Sequence, residues 1–99
     1  MKKEIFTEKI YVYTPKGEIV ELPKYSTAID LAYKLNPELG NTITSAFVND
    51  SLQAPNCILN NKDRVRINTD IRAYGPHKEW VDTVQTTKAR RLILEFNNK

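Results

Sequence analysis

The sequence predicts a small α+β fold in which one helix packs against a mixed β-sheet. Short segments rich in β-branched and aromatic residues are separated by turn residues through the first two thirds of the chain, with one apolar helical pattern among them. The chain has 99 residues, of which 40% are hydrophobic and 27% are charged, as expected of one globular domain with one core.

A β-hairpin is predicted near the start of the chain. Residues 9–14 alternate β-branched and aromatic side chains, and residues 18–22 resume the extended pattern. Between them, Pro15 has a fixed φ and Gly17 accepts the positive φ that a tight turn requires. Pro23 has no N–H to donate to a strand ladder, so we expect it to end the second strand.

The helix is predicted at the apolar-rich residues 28–35. Ser26 or Thr27 can cap its first turn, and if Thr27 is the cap, Asp30 takes the third helical position. A carboxylate at that position reaches back toward the cap and meets the positive end of the helix dipole. The pair Asn36-Pro37 is expected to end the helix, because the residue before a proline disfavours the α region.

The remaining strands follow this helix. Gly40 is interpreted as a chain reversal that leads into a third strand at residues 43–48. A short edge strand is predicted at residues 52–54 and ends before Pro55. Residues 64–68 alternate charged and apolar side chains, which predicts a fifth strand with one solvent-exposed face. The resulting order, ββαβ, a short strand and a final strand, is that of a β-grasp or ubiquitin-like sheet.

A helical segment is predicted after residue 70. Tyr74 and Gly75 break the pattern, Pro76 opens a helical turn that extends through Trp80 and Val84, and Thr86 or Thr87 caps a last helix. The predicted apolar face of that helix consists of Ala89, Leu92, Ile93 and Phe96. Because an apolar stripe needs a partner surface, the predicted interdomain contact residues are Trp80, Leu92, Ile93 and Phe96.

The chain is therefore divided into three parts. Residues 1–8 are a lead-in, residues 9–70 form the β-grasp domain, and residues 71–99 form a helical linker toward a following domain. The net charge of +3 arises in the last part, since residues 72–99 carry six basic and three acidic side chains. A weakly basic tail on a neutral body permits contact with nucleic acid without requiring it.

No catalytic site, metal site or cofactor is predicted. Cys57 and His77 lie on segments assigned to different elements, and a zinc site would need three or four ligands at suitable spacing. The glycines do not form a phosphate loop. One cysteine cannot close an internal disulfide, and neither an export signal nor a membrane span is recognised, so the cytoplasm is the expected location. A modifier with a Gly-Gly end is not expected, because the chain ends in Asn97-Asn98-Lys99, unless the native C-terminus lies further on.

Two sets of polar residues are candidates for ligand binding. Arg64 and Arg66 point to the same side of a strand, where they can follow a phosphate backbone. The alternative is a solvated face whose positive charge is balanced by neighbouring carboxylates. Asn36 and Asn41 flank the Pro-Gly loop, where they can contact a ligand or serve only turn chemistry. Tyrosines can stack on unpaired bases, although strand alternation directs several of them to the core.

Longer motifs lie in residues 10–23 (IYVYTPKGEIVELP) and 26–33 (STAIDLAY). These segments strongly resemble the TGS domain, a β-grasp module named for threonyl-tRNA synthetase, certain GTPases and SpoT. Residues 74–80 (YGPHKEW) and 86–91 (TTKARR) resemble the segment that follows TGS in the RelA/SpoT bifunctional (p)ppGpp synthetase/hydrolases. The resemblance covers residues 9–96.

The resemblance implies a regulatory fragment that is not itself an enzyme, because the catalytic domains of that family precede TGS. It further implies sensing of the 3′ CCA end of deacylated tRNA on the ribosome, where a free ribose hydroxyl fits and an esterified one clashes. Combined with the candidates above, the predicted ligand-binding residues are Asn36, Gly40, Asn41, Thr42, Arg64 and Arg66.

The sequence departs from the family pattern at three positions. Ribosome-responsive members commonly carry a His after the loop Gly, a Cys two residues later and a second His at the helix end; here these are Asn41, Ile43 and Asn36. Asn donates and accepts hydrogen bonds but does not stack or carry charge as an imidazole does.

An alternative function remains open. The apolar stripe of the last helix suggests a protein-interaction module that relays signals between the other domains of the parent enzyme or binds acyl carrier protein.

Overall fold

The computed structural model describes residues 8–73 and 75–98, and it confirms the α+β class. The elements in chain order are strands β1 (Lys9–Tyr13) and β2 (Ile19–Pro23), helices α1 (Ala28–Leu35) and α2 (Pro37–Thr42), strands β3 (Ile43–Val48), β4 (Ser51–Gln53) and β5 (Val65–Thr69), a 3-10 turn (Lys78–Asp82) and helix α3 (Thr87–Asn97). The predicted lead-in, apart from Glu8, lies outside the described residues, as does Tyr74.

The strands form the predicted β-grasp order. β1 and β2 make an antiparallel hairpin, and β3 pairs with β4 on one side and β5 on the other. A parallel bridge between Tyr13 and Arg64 joins the two sheets, supported by the Tyr13 N–H donating to the Asp63 carbonyl at 2.8 Å. The strand order across the molecule is therefore β2-β1-β5-β3-β4.

Helix α1 begins with the capping box that the sequence predicts. The Thr27 hydroxyl accepts a hydrogen bond from the Asp30 N–H at 3.3 Å, and the Asp30 carboxylate accepts one from the Thr27 N–H at 2.9 Å. Every residue from Ala28 to Tyr33 is buried, because the helix lies across the sheet and packs against its inner face. Both helix bounds match the prediction.

Helix α2 replaces the loop that the sequence predicted, and the interpretation of Gly40 as a chain reversal was wrong. The Asn36 side chain accepts a hydrogen bond from the Glu38 N–H at 2.9 Å, and Pro37 takes the first helical position, which suits its fixed φ. Gly40 is buried against the ring of Tyr33, and a Cβ at this position would overlap that ring. The glycine is needed for close packing of α2 on α1.

The C-terminal helix packs on the domain itself. Thr86 is its cap, with the Thr86 hydroxyl accepting from the Ala89 N–H at 3.1 Å. Ala89 and Ile93 are fully buried in the common core, and Leu92 is partly buried against it. The partner surface of the apolar stripe is therefore α1 and its surroundings. None of the helices among the described residues is long and apolar enough to cross a membrane.

A single buried carboxylate joins the two helix starts. The Asp30 Oδ1 atom accepts hydrogen bonds from the N–H and the hydroxyl of Thr86, both at 2.9 Å, and Oδ2 accepts from the Gln85 N–H at 2.9 Å. Asp30 is 0% exposed. Since the same carboxylate closes the α1 capping box, it faces the positive ends of two helix dipoles and fixes the start of α3 to the start of α1.

Candidate functional site

The predicted ligand-binding residues fall into two separate groups. Asn36, Gly40, Asn41 and Thr42 lie together on or beside α2, and Arg64 and Arg66 lie together at the start of β5. The Thr42 carbonyl accepts a hydrogen bond from the Asp70 N–H at 3.0 Å, which places α2 beside the far end of β5. Five strand residues extend about 17 Å, so the structure does not bring the two groups into one site.

The first group forms what we call the α2 surface, which consists of Asn36, Asn41 and Thr42. Its orientation is set by Tyr33, whose buried hydroxyl donates to the Asn41 Oδ1 atom at 2.8 Å. Burial raises the pKa of Tyr33 well above its ordinary value, so the hydroxyl stays a donor at neutral pH. The Asn41 amide oxygen therefore faces Tyr33, and its NH₂ group remains to donate to a ligand.

The other positions of this region have distinct roles. Asn36 is exposed at the junction of α1 and α2, with its side-chain oxygen engaged in the α2 cap. The Thr42 hydroxyl donates to the Glu38 carbonyl at 2.8 Å, and Gly40 is buried below the surface. Ile43 is 4% exposed and belongs to the core, so of the three positions that depart from the family pattern only Asn36 and Asn41 present polar groups.

The second group lies in a groove of about 770 Å³ that we call the β5 groove. Its lining residues include Tyr13, Phe47, Asp50, Lys62, Arg64 and Arg66. Pro15 and Gly17, from the turn between β1 and β2, also line this groove, near the bridge between Tyr13 and Arg64. The predicted common side of Arg64 and Arg66 is confirmed, because both are exposed and Val65 between them is buried.

The charge of the β5 groove is predominantly positive. Arg64 approaches the Asp50 carboxylate at 3.5 Å, and both side chains are exposed, so this ion pair contributes little. Among the ion pairs of the described residues, none involves Arg66 or Lys62. Lys9 lies outside this groove and lines a different cavity beside Tyr25.

Asn49 fixes the backbone of Arg64 through two hydrogen bonds that the sequence did not reveal. Asn49 donates its N–H to the Arg64 carbonyl at 2.8 Å and accepts the Arg64 N–H on its Oδ1 atom at 2.9 Å. Its Nδ2 atom donates to the buried Asp63 carboxylate at 2.8 Å. Asn49 has a φ of 52°, a left-handed conformation that Asn adopts more readily than most residues.

The predicted interdomain residues differ in accessibility. Ile93 is enclosed in the core, whereas Trp80 and Phe96 are half-buried. The Trp80 ring meets the exposed His77 ring edge to face, with centroids 5.2 Å apart, and Phe96 covers Gly75. The accessible parts of Trp80, Leu92 and Phe96 are the portions of this set that remain at the surface.

Cys57 and His77 occupy unremarkable positions. Cys57 is half-buried against the core, and burial raises the pKa of its thiol, which disfavours the reactive thiolate. His77 is exposed in front of the 3-10 turn. Within residues 8–73 and 75–98, no group of three or more His, Cys, Asp or Glu side chains is placed to hold a metal ion.

Sequence comparison relates this chain to known proteins. Residues 10–69 match the TGS domain. Over 99 residues the chain is 40% identical to a guanosine-3′,5′-bis(diphosphate) 3′-pyrophosphohydrolase of Aquifex aeolicus, covering 100% of this chain and 14% of that protein. The corresponding hydrolase of Haemophilus influenzae is 38% identical over 97% of this chain and 14% of its own length. A GTP pyrophosphokinase of Myxococcus xanthus is 32% identical over 97% of this chain and 12% of its own.

This chain thus spans roughly one eighth to one seventh of the length of those relatives. The match over residues 10–69 coincides with the β-grasp sheet and α1, and the relatives extend the similarity through α3. The chain belongs to the TGS domain family, in the form that occurs in RelA/SpoT-type proteins.

Proposed function

We propose that this TGS domain is a regulatory module of a longer cytoplasmic (p)ppGpp synthetase/hydrolase and has no catalytic activity of its own. Relatives named for these activities align with nearly the whole chain at 32–40% identity. The domain then supplies ligand recognition, and catalysis lies elsewhere in the parent protein.

We further propose that the α2 surface senses the CCA end of deacylated tRNA. The observation that carries this proposal is the Tyr33–Asn41 hydrogen bond of 2.8 Å, which presents the Asn41 NH₂ group as an oriented donor. RNA ends offer hydroxyl, phosphate and base acceptors to such a donor. As the family resemblance implies, a free terminal ribose hydroxyl would fit beside this donor and an esterified one would clash, which gives discrimination by exclusion.

The test is binding of this chain to fluorescent acceptor-stem minihelices with a free, a missing or an aminoacylated terminal adenosine. Asn41→Asp keeps an acceptor for the Tyr33 hydroxyl while it removes the NH₂ donor and adds a negative charge. We expect it to weaken binding of the free CCA end about tenfold and to abolish the preference over the aminoacylated end.

Asn56→Asp is the matched control, since Asn56 is exposed in a turn away from α2 and receives the same charge. Both variants add one negative charge to the domain, so the difference between their minihelix affinities measures the loss of the Asn41 NH₂ donor. A preference that survives in Asn41→Asp would refute the contact, and a chain that binds the three minihelices equally would refute CCA sensing.

The second candidate is a protein-interaction module that contacts other domains of the parent or an acyl carrier protein. It rests on the half-buried Trp80, Leu92 and Phe96, because Ile93 is inside the core. Trp80→Ser in the parent should then alter regulation while minihelix binding by the domain is retained. Unchanged regulation would count against this candidate.

A further inference from the structure

We infer that the β5 groove is a second RNA site, one that holds an extended single strand independently of the CCA end. The inference goes beyond the proposed function, because the groove and the α2 surface lie at opposite ends of β5. It rests on the arrangement of cations and aromatic rings along one outward face of the sheet.

The first observation is that three cations line one groove. Arg64 and Arg66 lie two positions apart where β1 and β5 meet, and Lys62 joins them from the turn before β5, where its φ is 75°. Residues two apart on an extended chain are about 6.6 Å apart, which is close to the spacing of successive phosphates in an extended nucleic acid strand. Two arginines at this spacing beside a third cation match a phosphate backbone better than the compact phosphates of one free nucleotide.

The second observation is that each arginine has an aromatic neighbour in register. Phe47 lies directly opposite Arg66 in the β3–β5 ladder, and Tyr13 is bridged to Arg64 from β1. Phe47 is 37% exposed, and both rings line the groove. Rings beside cations on an open sheet face provide stacking surfaces for unpaired bases next to contacts for their phosphates.

The third observation distinguishes single-stranded RNA from other negatively charged partners. Asp50 is the acidic side chain among its lining residues, and it faces Arg64 at 3.5 Å. An acidic peptide would contact the same cations but not the two rings. A duplex would contact the cations through its phosphates, but its bases are already stacked on one another and would not use the rings. Single-stranded RNA is the partner that uses both kinds of side chain.

The experiment measures fluorescence anisotropy of a labelled oligouridine of about ten nucleotides with this chain. The oligouridine carries no CCA end, so its binding does not depend on the α2 surface. We expect dissociation constants of about 1–100 µM at low salt. Arg66→Gln should weaken binding about fivefold and lower the salt dependence by about one released ion.

A second variant addresses stacking. Phe47→Leu keeps an apolar strand residue and should weaken single-strand binding about tenfold with little change in salt dependence. Arg90→Gln is the control, because Arg90 is exposed on α3 outside the groove. Circular dichroism of each variant verifies the fold, and Asn41→Asp serves as the reciprocal control that should change oligouridine binding no more than Asn56→Asp does.

Several results would overturn the inference. Absence of binding, or equal losses in Arg66→Gln and Arg90→Gln, would remove the groove as a site. Duplex RNA that binds as tightly as the single strand would reduce the interaction to general charge. Displacement of the oligouridine by micromolar guanosine nucleotide would make the groove a nucleotide pocket, and displacement by polyglutamate at equal charge would make it a polyanion surface.

Discussion

Asp30 shows how one side chain connects local structure to the whole domain. Its carboxylate closes the capping box of α1 and accepts further hydrogen bonds from three donor groups of Gln85 and Thr86, just before α3. The capping box was predictable, because it depends on residues three positions apart. The contact with Thr86 spans 56 positions in the sequence, so no local pattern indicates it.

We predict that Asp30→Asn destabilises the domain by about 3 kcal/mol. Either orientation of the amide places its NH₂ group against backbone N–H donors, which leaves buried donors unpaired. Urea unfolding followed by circular dichroism measures the loss. Asp82→Asn, at an exposed position in the 3-10 turn, should change the unfolding free energy by less than about 0.5 kcal/mol. Equal midpoints for the two variants would contradict the role of Asp30.

Cys57 gives a prediction about pH. Burial raises the pKa of its thiol, so between the unfolded and folded values the folded state retains a proton that the unfolded chain has lost. Its contribution to stability is present below the ordinary thiol pKa of about 8.5 and declines as the pH rises above that value. Wild type should therefore lose more stability than Cys57→Ala between about pH 7 and pH 9.5 in urea titrations. Parallel pH profiles would disprove this.

At the scale of elements, the sequence was informative where an element has its own periodicity and caps. The bounds of α1 and the cap of α3 follow from such signals. Helix α2 was missed because Asn36-Pro37 signals both the end of one helix and the start of another, and the choice depends on packing. Gly40 permits that packing by meeting the Tyr33 ring without a side chain.

We predict that Gly40→Ala destabilises the domain by about 2 kcal/mol, although alanine favours a helix by about 1 kcal/mol over glycine. The added methyl group would overlap the buried Tyr33 ring, which has no room to move. Gly17→Ala meets no atom within 4 Å but must adopt a φ of 85°, so a loss of about 1 kcal/mol is expected. Chemical denaturation compares the two, and a stabilised Gly40→Ala would contradict the packing of α2.

The apolar stripe of α3 illustrates a different limit of sequence reasoning. Its periodicity correctly indicated a face that needs a partner, but periodicity does not identify the partner. The structure supplies it within the chain, since Ile93 is fully buried in the same core as α1. A polar replacement of Ile93 would therefore test folding, which is why Trp80 is the better probe of contacts with other domains.

For the whole molecule, the fold places the two candidate sets of ligand-binding residues on two separate surfaces. The β-grasp order followed from the succession of strands and helix, whereas the separation of the α2 surface from the β5 groove depends on the tertiary arrangement. Charge counts located the net excess in residues 72–99, yet the cations of the β5 groove lie in the neutral part of the chain. Local arrangement, more than net charge, therefore defines the candidate RNA surfaces.

The most direct test of the central claim uses the full-length parent protein on ribosomes with deacylated or aminoacylated tRNA in the A site, with (p)ppGpp synthesis as the readout. Wild type and Asn56→Asp should respond to the deacylated tRNA, and Asn41→Asp should fall to the level seen with aminoacylated tRNA. A full response of Asn41→Asp to deacylated tRNA would contradict recognition of the CCA end by the α2 surface.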